Sequence, residues 1–593
     1  MDEQAGKFTQ LRVEAPAGVN FALEQAQLNP QVWDDAKNVS FSHGITRKCS
    51  GYEQGFGAAK ACPEVLIPLR DDDQSFYWWA YAGTKKVEST PGSGVFDKDE
   101  QRIYRITAKD VHQDVTPDGG IVEAGKFFTE VRWTGDSVNS VPYLSKEVPY
   151  LWDASYDASG GRFRTHYGFP PHLSFRVIRT YKNFMIGLNF ATKDFMGNMT
   201  DENADWYGFG PWSNGVHQNA VWWSHEVIGS QLDADPPTEE GRSYSGKSMW
   251  CDADPTRNSG WNFLGGSGGP IVDGRAMRDS FIIYRERSVW QMTYVEGINV
   301  FSFKELFNDA GALSEQCIID VEGQHFVVGQ SDIYLHNGVQ KVSVADGVVR
   351  RELFNSIDPD YINRVFATVS YKDKQLWVCI PEAGTNINGA CNVAYIYNWE
   401  EKHWSRRSIP DLTSAAYTIL SIPTEDFSWV APGEEASWAE LPQEVTWVSS
   451  YSKYSAANWG LIFGTSQEST STGDSNYKLF TSTTFDPKFD GENFEAYVEK
   501  RWLDMGDRAD TSFVNKIYPL VRGGIVDVYM GGTENTQTPP TWKYVGKFDS
   551  STMTKLSTRI SGNFVHIKFV IPETSQAEIR GYWLEYTKIG RRG

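Results

Sequence analysis

The stretch "LGGSGGPIV", Leu264 to Val272, sets a serine inside a glycine-rich loop. A serine held in such a loop can attack a carbonyl if three things surround it. A histidine must take its proton, a carboxylate must orient that histidine, and backbone N–H groups must catch the oxyanion. Ser267 would be the nucleophile. Gly266 precedes it where that chemistry usually has an aspartate, and the upstream histidines (His43, His112, His166, His172, His217 and His225) stand in no setting that marks a general base. Glycines also serve any loop that needs positive φ. Ser267 is therefore expected in a connector and not at a catalytic centre.

Glycoside hydrolysis needs two carboxylates at a set separation beside the sugar. Acids and aromatics occur together in "DDD" at 71–73, "WDASYD" at 152–157 and "NWEEKHW" at 398–404. Among 76 acidic residues no pair stands out. "SYKDKQLW", 370–377, keeps Ser370 and Trp377 of the sialidase turn Ser-x-Asp-x-Gly-x-x-Trp, but its acid is displaced to Asp373 and Lys374 stands in the glycine's place. "DADPTRNSG", 252–260, offers calcium-like acids at Asp252 and Asp254, yet Arg257 occupies the position where an EF-hand turns on glycine. No His-Glu-x-x-His occurs, and no Gly-x-x-x-x-Gly-Lys-Ser/Thr follows a strand. The basic pairs Lys85-Lys86, Arg406-Arg407 and Arg591-Arg592 are isolated and read as solvated surface or contacts to an acidic neighbour. No catalytic, cofactor-binding or metal residue is assigned, no cofactor is expected, and the chain is not read as an enzyme.

The elements that must position these residues are strands. Aromatics make up 14% of the 593 residues, with 53 Gly and 26 Pro, a composition of many short strands and tight turns. A chain this long is expected to divide into two to four domains. A formal charge of −20 repels phosphate at long range, which disfavours tight nucleic-acid binding but does not exclude a protein that DNA must pass without sticking. Six scattered cysteines without C-x-x-C read as buried thiols in a chain made in the cytosol. The start lacks a signal-like pattern, and no apolar run approaches the roughly 20 residues that span a bilayer, so stable membrane insertion is not expected.

Along the chain, 1–28 reads as an extended arm. "VSFSHGITRKC", Val39 to Cys49, alternates around a turn at Gly44, a β-hairpin that opens a first propeller segment over 29–139. "FYWWAYAGTKKVES", 76–89, reads as strands around a turn at Ala82-Gly83. Residues 140–275 hold short β-like runs, such as "YKNFMIGLNF", between long polar loops and read as an inserted loop-rich β domain. From 276 to 495 a strand-turn-strand unit recurs in "DSFIIYRERSVWQMTYV", "QHFVVGQSDIYLHNGVQKVSV" and "NVAYIYNWEEKHWSRRSIP", at the spacing of β-propeller blades. "FSFKELFNDAG", 301–311, is the best helix candidate, with Phe303, Leu306 and Phe307 on one face. Alternating strands from 496 to 593 read as a β-sandwich-like domain. The expected class is all-β: a β-propeller with an inserted loop-rich β domain and a C-terminal β-sandwich-like domain.

"VWDDAKNVSFSHGITRKCSGY" (Trp33, Asn38, Val39, Phe41, Gly44, Lys48, Gly51, Tyr52) resembles the opening of the tail nozzle, or tail hub, proteins of short-tailed bacteriophages, also called packaged-DNA stabilisation proteins. The resemblance continues in "YWWAYAGTKKV", "SFIIYRERSVWQMTYV" and "HFVVGQSDIYLHNG" and touches about half the chain. It implies a structural virion protein, made in the host cytoplasm and built into the tail as a homohexameric ring. Its implied partners are a head-to-tail adaptor, tail fibres or spikes, and double-stranded DNA passing transiently and without sequence preference during ejection. A carbohydrate-binding or glycoside-hydrolysing propeller in a receptor-facing tail part is the alternative.

Overall fold

Phe184–Thr192 (FMIGLNFAT) is buried at every position, and Gln375–Ile380 at all but its first. A strand buried on both faces needs a packed layer on each side, as blades around an axis provide. The computed structural model describes residues 9–16, 18–21, 29–70, 77–88, 96–108, 111–121, 128, 130–139, 141–154, 161–166, 169–170, 173–192, 215–227, 249–250, 258–295, 297, 299–420, 459–469, 476–482, 487–505 and 510–591. Within them, five four-stranded sheets are antiparallel meanders in chain order. Blade 1 runs from Cys62–Arg70 to Val111–Asp114 and blade 2 from Thr134–Val138 to Arg162–Thr165. Blade 3 runs from Leu173–Tyr181 to Gly260–Phe263, blade 4 from Ile271–Met277 to Phe301–Phe307, and blade 5 from Ile318–Val321 to Lys341–Ser343.

A nine-stranded sheet supplies two more blades. Phe366–Ser370, Gln375–Ile380, Cys391–Asn398 and the first half of His403–Ile419 make blade 6. The last of these strands bends at Asp411, where φ is 39°, and its second half becomes the inner strand of blade 7 beside Trp459–Ser469. Asn476–Ser482 follows, and the outermost strand is Tyr52–Ala59 from far upstream. The segment that leads into blade 1 thus completes blade 7. Seven apolar clusters fill seven wedges between consecutive blades. Ile67 and Ala82 of blade 1, for example, meet Leu144 and Tyr150 of blade 2. In the closing wedge Phe56, Ile462 and Leu479 of blade 7 pack on Leu66, Trp79 and Tyr81 of blade 1. The described residues form a propeller of seven blades.

The chain's first and last strands together make a β-sandwich. One sheet orders Val39–Ser42, Ile45–Lys48, Glu578–Arg591, Asp510–Arg522 and Leu556–Gly562, with Thr9–Glu14 also pairing along Glu578–Arg591. The other orders Asp35–Lys37, Ala496–Asp504, Phe564–Ile571, Ile525–Thr533 and Lys543–Asp549. Trp33, Val39 and Phe41 share its core with Val514, Ile567 and Tyr582. Lys500 pins the upstream segment in place: its Nζ donates to the carbonyls of Asn29 (3.2 Å) and Val32 (2.9 Å) and to Asp34 Oδ1 (3.2 Å). Both side chains of that ion pair are fully buried.

Several expectations change. The arm within 1–28 contributes a strand, and the hairpin forms as expected, with His43 and Gly44 at positive φ, but it belongs to the sandwich and not to a propeller segment. The stretch 140–275 is threaded through the ring: it completes blade 2, forms blade 3 and opens blade 4. Long polar stretches disguise these blades, above all those between Thr192 and Gly215 and between Trp223 and Gly260. "FSFKELF" is the strand Phe301–Phe307, since Phe301, Phe303 and Phe307 also fit a period of two on an edge strand. Among the described residues an α-helix lies instead at Arg350–Ser356. No turn occurs at Ala82-Gly83; Tyr77–Glu88 runs straight through, and glycine is needed because a Cβ at Gly83 would sit 1.7 Å from the Cys62 carbonyl.

Blades 4 and 5 are also joined by a buried polar chain whose protons can be assigned from its partners. The Gly338 N–H donates to His336 Nδ1 (3.2 Å), which leaves His336 Nε2–H to donate to the Tyr284 hydroxyl (2.5 Å). Tyr284 in turn donates to His325 Nδ1 (2.7 Å), and His325 Nε2–H donates to the Ala276 carbonyl (3.0 Å). The chain is complete only with both imidazoles neutral. Burial pushes His325 down to about 3 and His336 to about 4. It likewise lowers His166 and His566 to about 4.

An unfolded histidine takes up its proton below about pH 6.5, whereas these do so in the folded chain only near pH 4 or lower, so stability is lost as pH falls through that window. Asp34 acts oppositely, because burial raises it to about 6 and its folded form gains a proton over the same range. The raised carboxyls of Asp35, Glu315 and Asp320 act with Asp34, and the lowered His403 acts with the other histidines; the large shifts of His166, His325, His336 and His566 prevail. Urea denaturation is therefore expected to show a midpoint that falls steadily from about pH 7 to about pH 4; a flat profile would contradict the neutral chain.

Candidate functional site at the propeller axis

The glycine-rich loop has a structural use. Arg285, only 1% exposed, sends Nε to the Gly269 carbonyl (2.6 Å), Nη1 to the Gly265 carbonyl (2.7 Å) and Nη2 to the Gly266 carbonyl (3.4 Å). The loop therefore presents carbonyl oxygens inward around a guanidinium, the opposite polarity to the N–H groups that an oxyanion requires. Gly268 is needed because a Cβ there would meet Ser288 Oγ at 2.1 Å. Ser267 itself is exposed. The described histidines upstream are placed elsewhere: His43 lies in the hairpin turn, His112 on Tyr81, His166 on Trp250, His217 near Thr192 and His225 on Asn258. His172 lies outside the described residues.

The acid-rich motifs are also engaged in structural bonds. In "NWEEKHW", Glu401 accepts the His43 backbone N–H at 3.1 Å and lies 3.1 Å from His403 Nε2, tying the hairpin to blade 6. Trp404 Nε1 donates to the Val344 carbonyl at 2.8 Å, linking blade 6 to blade 5. Asp153 of "WDASYD" pairs with Arg164 at 2.8 Å, and in "SYKDKQLW" Ser370 Oγ donates to Asp373 across a turn at 2.7 Å. The acids at 71–73, Asp252 and Asp254 lie outside the described residues.

The basic pair Arg406-Arg407 is not solvated. Arg406 bonds Glu382 at 2.6 Å, and Arg407, 2% exposed, lies over the Trp377 ring at 4.9 Å. Among the described residues five cysteines are free, and burial raises the thiols of Cys62 and Cys391 to about 12 and that of Cys317 to about 11, which disfavours the reactive thiolate.

Polar side chains converge instead around the axis. Arg179 of blade 3 grips Asp273 of blade 4 through two bonds of 2.8 and 2.9 Å, and Asp273 also accepts the Gln316 N–H leading into blade 5 at 3.0 Å. Arg132, leading into blade 2, donates to the Thr413 carbonyl of blade 7 (2.7 Å) and to that of Arg364 before blade 6 (3.3 Å). Arg176 of blade 3 bonds Glu315 before blade 5 at 2.7 Å. Burial pushes the Glu315 carboxyl up, against the pull of Arg176.

A cavity of about 280 Å3 lies among these ties, lined by Glu130, Arg132, Arg176, Asn189, Glu315 and Asn363 together with a few apolar side chains. These residues come from separate blades, so no stretch of sequence signals the site.

No family model matches the chain, and no curated protein does. Solved structures give weak likenesses. The AfRom2 CNH domain is 8% identical with a TM-score of 0.32, covering 74% of this chain and 100% of its own. Kluyveromyces lactis Hsv2 is 11% identical with a TM-score of 0.26, covering 60% and 98%. The extracellular domain of a putative one-component system from B. thetaiotaomicron is 9% identical with a TM-score of 0.33, covering 98% and 59%. The seven-bladed ring rests on the chain's own strand pairing.

If the loop exists to hold a guanidinium, its serine is dispensable and its arginine is not. Ser267→Ala is expected to leave the urea midpoint unchanged. Arg285→Met should cost about 1–3 kcal/mol, because the guanidinium's three bonds to loop carbonyls are lost. Equal effects of the two substitutions would contradict this assignment.

Proposed function

We propose that this chain is a structural subunit of a bacteriophage tail: a ring-forming nozzle that extends the DNA conduit below the portal and adaptor, retains the packaged genome and passes it during ejection. One observation carries the reading beyond the sequence resemblance. Where the motifs that looked chemical fall on described residues, they serve as structural ties within the propeller or between it and the sandwich. Such a subunit has propeller edges and a sandwich to offer as two different faces, and a cyclic ring needs two non-identical faces on each copy.

The axis of one propeller is crossed by Arg132, Arg176 and Arg179 and is not a bore for a duplex. In this reading the conduit is the opening between subunits. The excess of 76 acidic over 56 basic residues keeps phosphate from adhering there. Hexameric stoichiometry, the adaptor, and fibres or spikes as partners belong to the same proposal.

Electron microscopy of the purified chain with its adaptor tests it. Six-fold rings, one propeller and one sandwich per subunit, are the expected outcome. A chain that stays monomeric beside assembled adaptor and releases sugar from host polysaccharide would overturn the reading.

A further inference from the structure

We infer that the basic edge of one copy's sandwich docks on an acidic patch beside blade 6 of the next copy, and that this is the repeating contact of the ring. The inference rests on the ring reading above and names the two surfaces that meet. Charge divides the chain along its length. Residues 496–593 hold 14 Lys and Arg against 10 Asp and Glu, whereas residues 1–495 hold 42 against 66. Bodies of opposite sign attract head to tail and disfavour like against like, which suits a heterologous contact.

On the sandwich, Lys543–Asp549 and Leu556–Gly562 are the edge strands of the two sheets. The turn between them is fixed by the Met553 N–H, which donates to the Asp549 carbonyl at 2.9 Å. Lys543, Lys547, Lys555 and Arg559 are exposed along this edge, and no ion pair among the described residues engages them. From 543 to 562 the sole carboxylate is Asp549, and it accepts the N–H and hydroxyl of Ser551. Two apolar side chains stand among these cations: Met553, 43% exposed, and Tyr544, 51% exposed with its hydroxyl donating to Asp527 at 3.2 Å. Lysines along edge strands discourage pairing with another strand, so the contact runs through side chains.

On the propeller, the turns leading into the first and third strands of blade 6 carry the opposite arrangement. Ile362, 41% exposed, and Ile387, 59% exposed, stand with Glu130, Asp358 and Asp360, which are in no ion pair among the described residues. Three contacts hold them in one patch. Asn386 Nδ2 donates to Asp358 Oδ2 at 2.8 Å, Asn363 Nδ2 donates to the Glu130 carboxylate, and Gly389 lies against the Tyr361 ring. Arg132 and Arg364, on the same stretches, are drawn onto carbonyls, the second onto that of Asn388 at 2.6 Å.

The two patches match. Each has a pair of apolar anchors among charges of one sign, and the signs are opposite, so the anchors bury against each other while the charges fix orientation. Every copy offers one of each, as a cyclic ring requires. Seating the cations in the contact also keeps them away from DNA in the opening.

Cross-linking inside the assembled ring tests this. The chain carrying both Ile387→Cys and Met553→Cys is assembled with its adaptor and treated with a short bis-maleimide. Ladders of covalently joined copies are expected, and none from either substitution alone. Charge reversal gives a second readout. Lys547→Glu with Lys555→Glu, and Glu130→Lys with Asp360→Lys, should each lower the yield of rings roughly tenfold or more in dilute salt. An equimolar mixture of the two variants should restore it, because each reversed surface then meets the other. Both should keep the parent's urea midpoint; where one does not, the cross-link decides. Rings that form without the cross-link, or reversed variants that assemble as the parent does, overturn this contact and leave the ring reading standing. A parent chain that forms no rings sinks both. Double-stranded DNA retained by the parent and lost from the lysine-reversed variant, with its rings intact, would assign the basic edge to DNA instead and overturn the contact.

Discussion

Backbone pairing between Tyr52–Ala59 and Asn476–Ser482 is the constraint on which the molecule depends. A propeller blade buries its faces only against its neighbours, so an open ring would leave two apolar faces in water. Here the closing strand is borrowed from the segment just before blade 1, and the wedge it completes buries Phe56, Trp79, Tyr81 and Tyr104. Full burial of a large apolar side chain contributes roughly 1.5–3 kcal/mol relative to exposure. The closure therefore gains several side chains' worth of burial at once. It also explains the sandwich. A chain that must return to its own beginning to shut the ring brings its two ends together, and strands from both ends share one core.

Polar ties then fix how the parts sit. Lys500 with Asp34, Arg179 with Asp273, and Arg285 with the glycine loop each place a charge where water is scarce and surround it with several partners. Such pairs add little net stability over well-packed apolar residues, but breaking one leaves a buried charge uncompensated. Their consequence is definition: each admits one arrangement of its strands. The segment 18–21 shows this at the junction of the two bodies, where the Val19 N–H meets the Trp404 carbonyl and the Phe21 N–H meets that of Val348.

Local patterns were legible in the sequence and long-range partnerships were not. The hairpin at 39–48 could be read because a Gly turn flanked by alternating residues is a short-range signal. The pairs within 279–295 and 324–344 could be read for the same reason. Blades 2 and 3 were hidden by long polar loops, and the hairpin was assigned to the wrong body because pairing partners more than 400 residues away leave no local trace. Phe301–Phe307 was ambiguous between periods of two and 3.6, as short apolar runs often are. The axial site was least legible of all. Arg132, Asn189, Glu315 and Asn363 look unremarkable singly and become a site only when the ring closes.

Ring closure is best tested by hydrogen exchange resolved to single amides. If Tyr52–Ala59 is the outer strand of blade 7, its bonded amides should exchange as slowly as those of Asn476–Ser482, and both should open together as denaturant is raised toward the unfolding transition. Rapid exchange of 52–59 on its own, like a fraying end, while 476–482 stays protected, would contradict the closure and the shared sandwich with it.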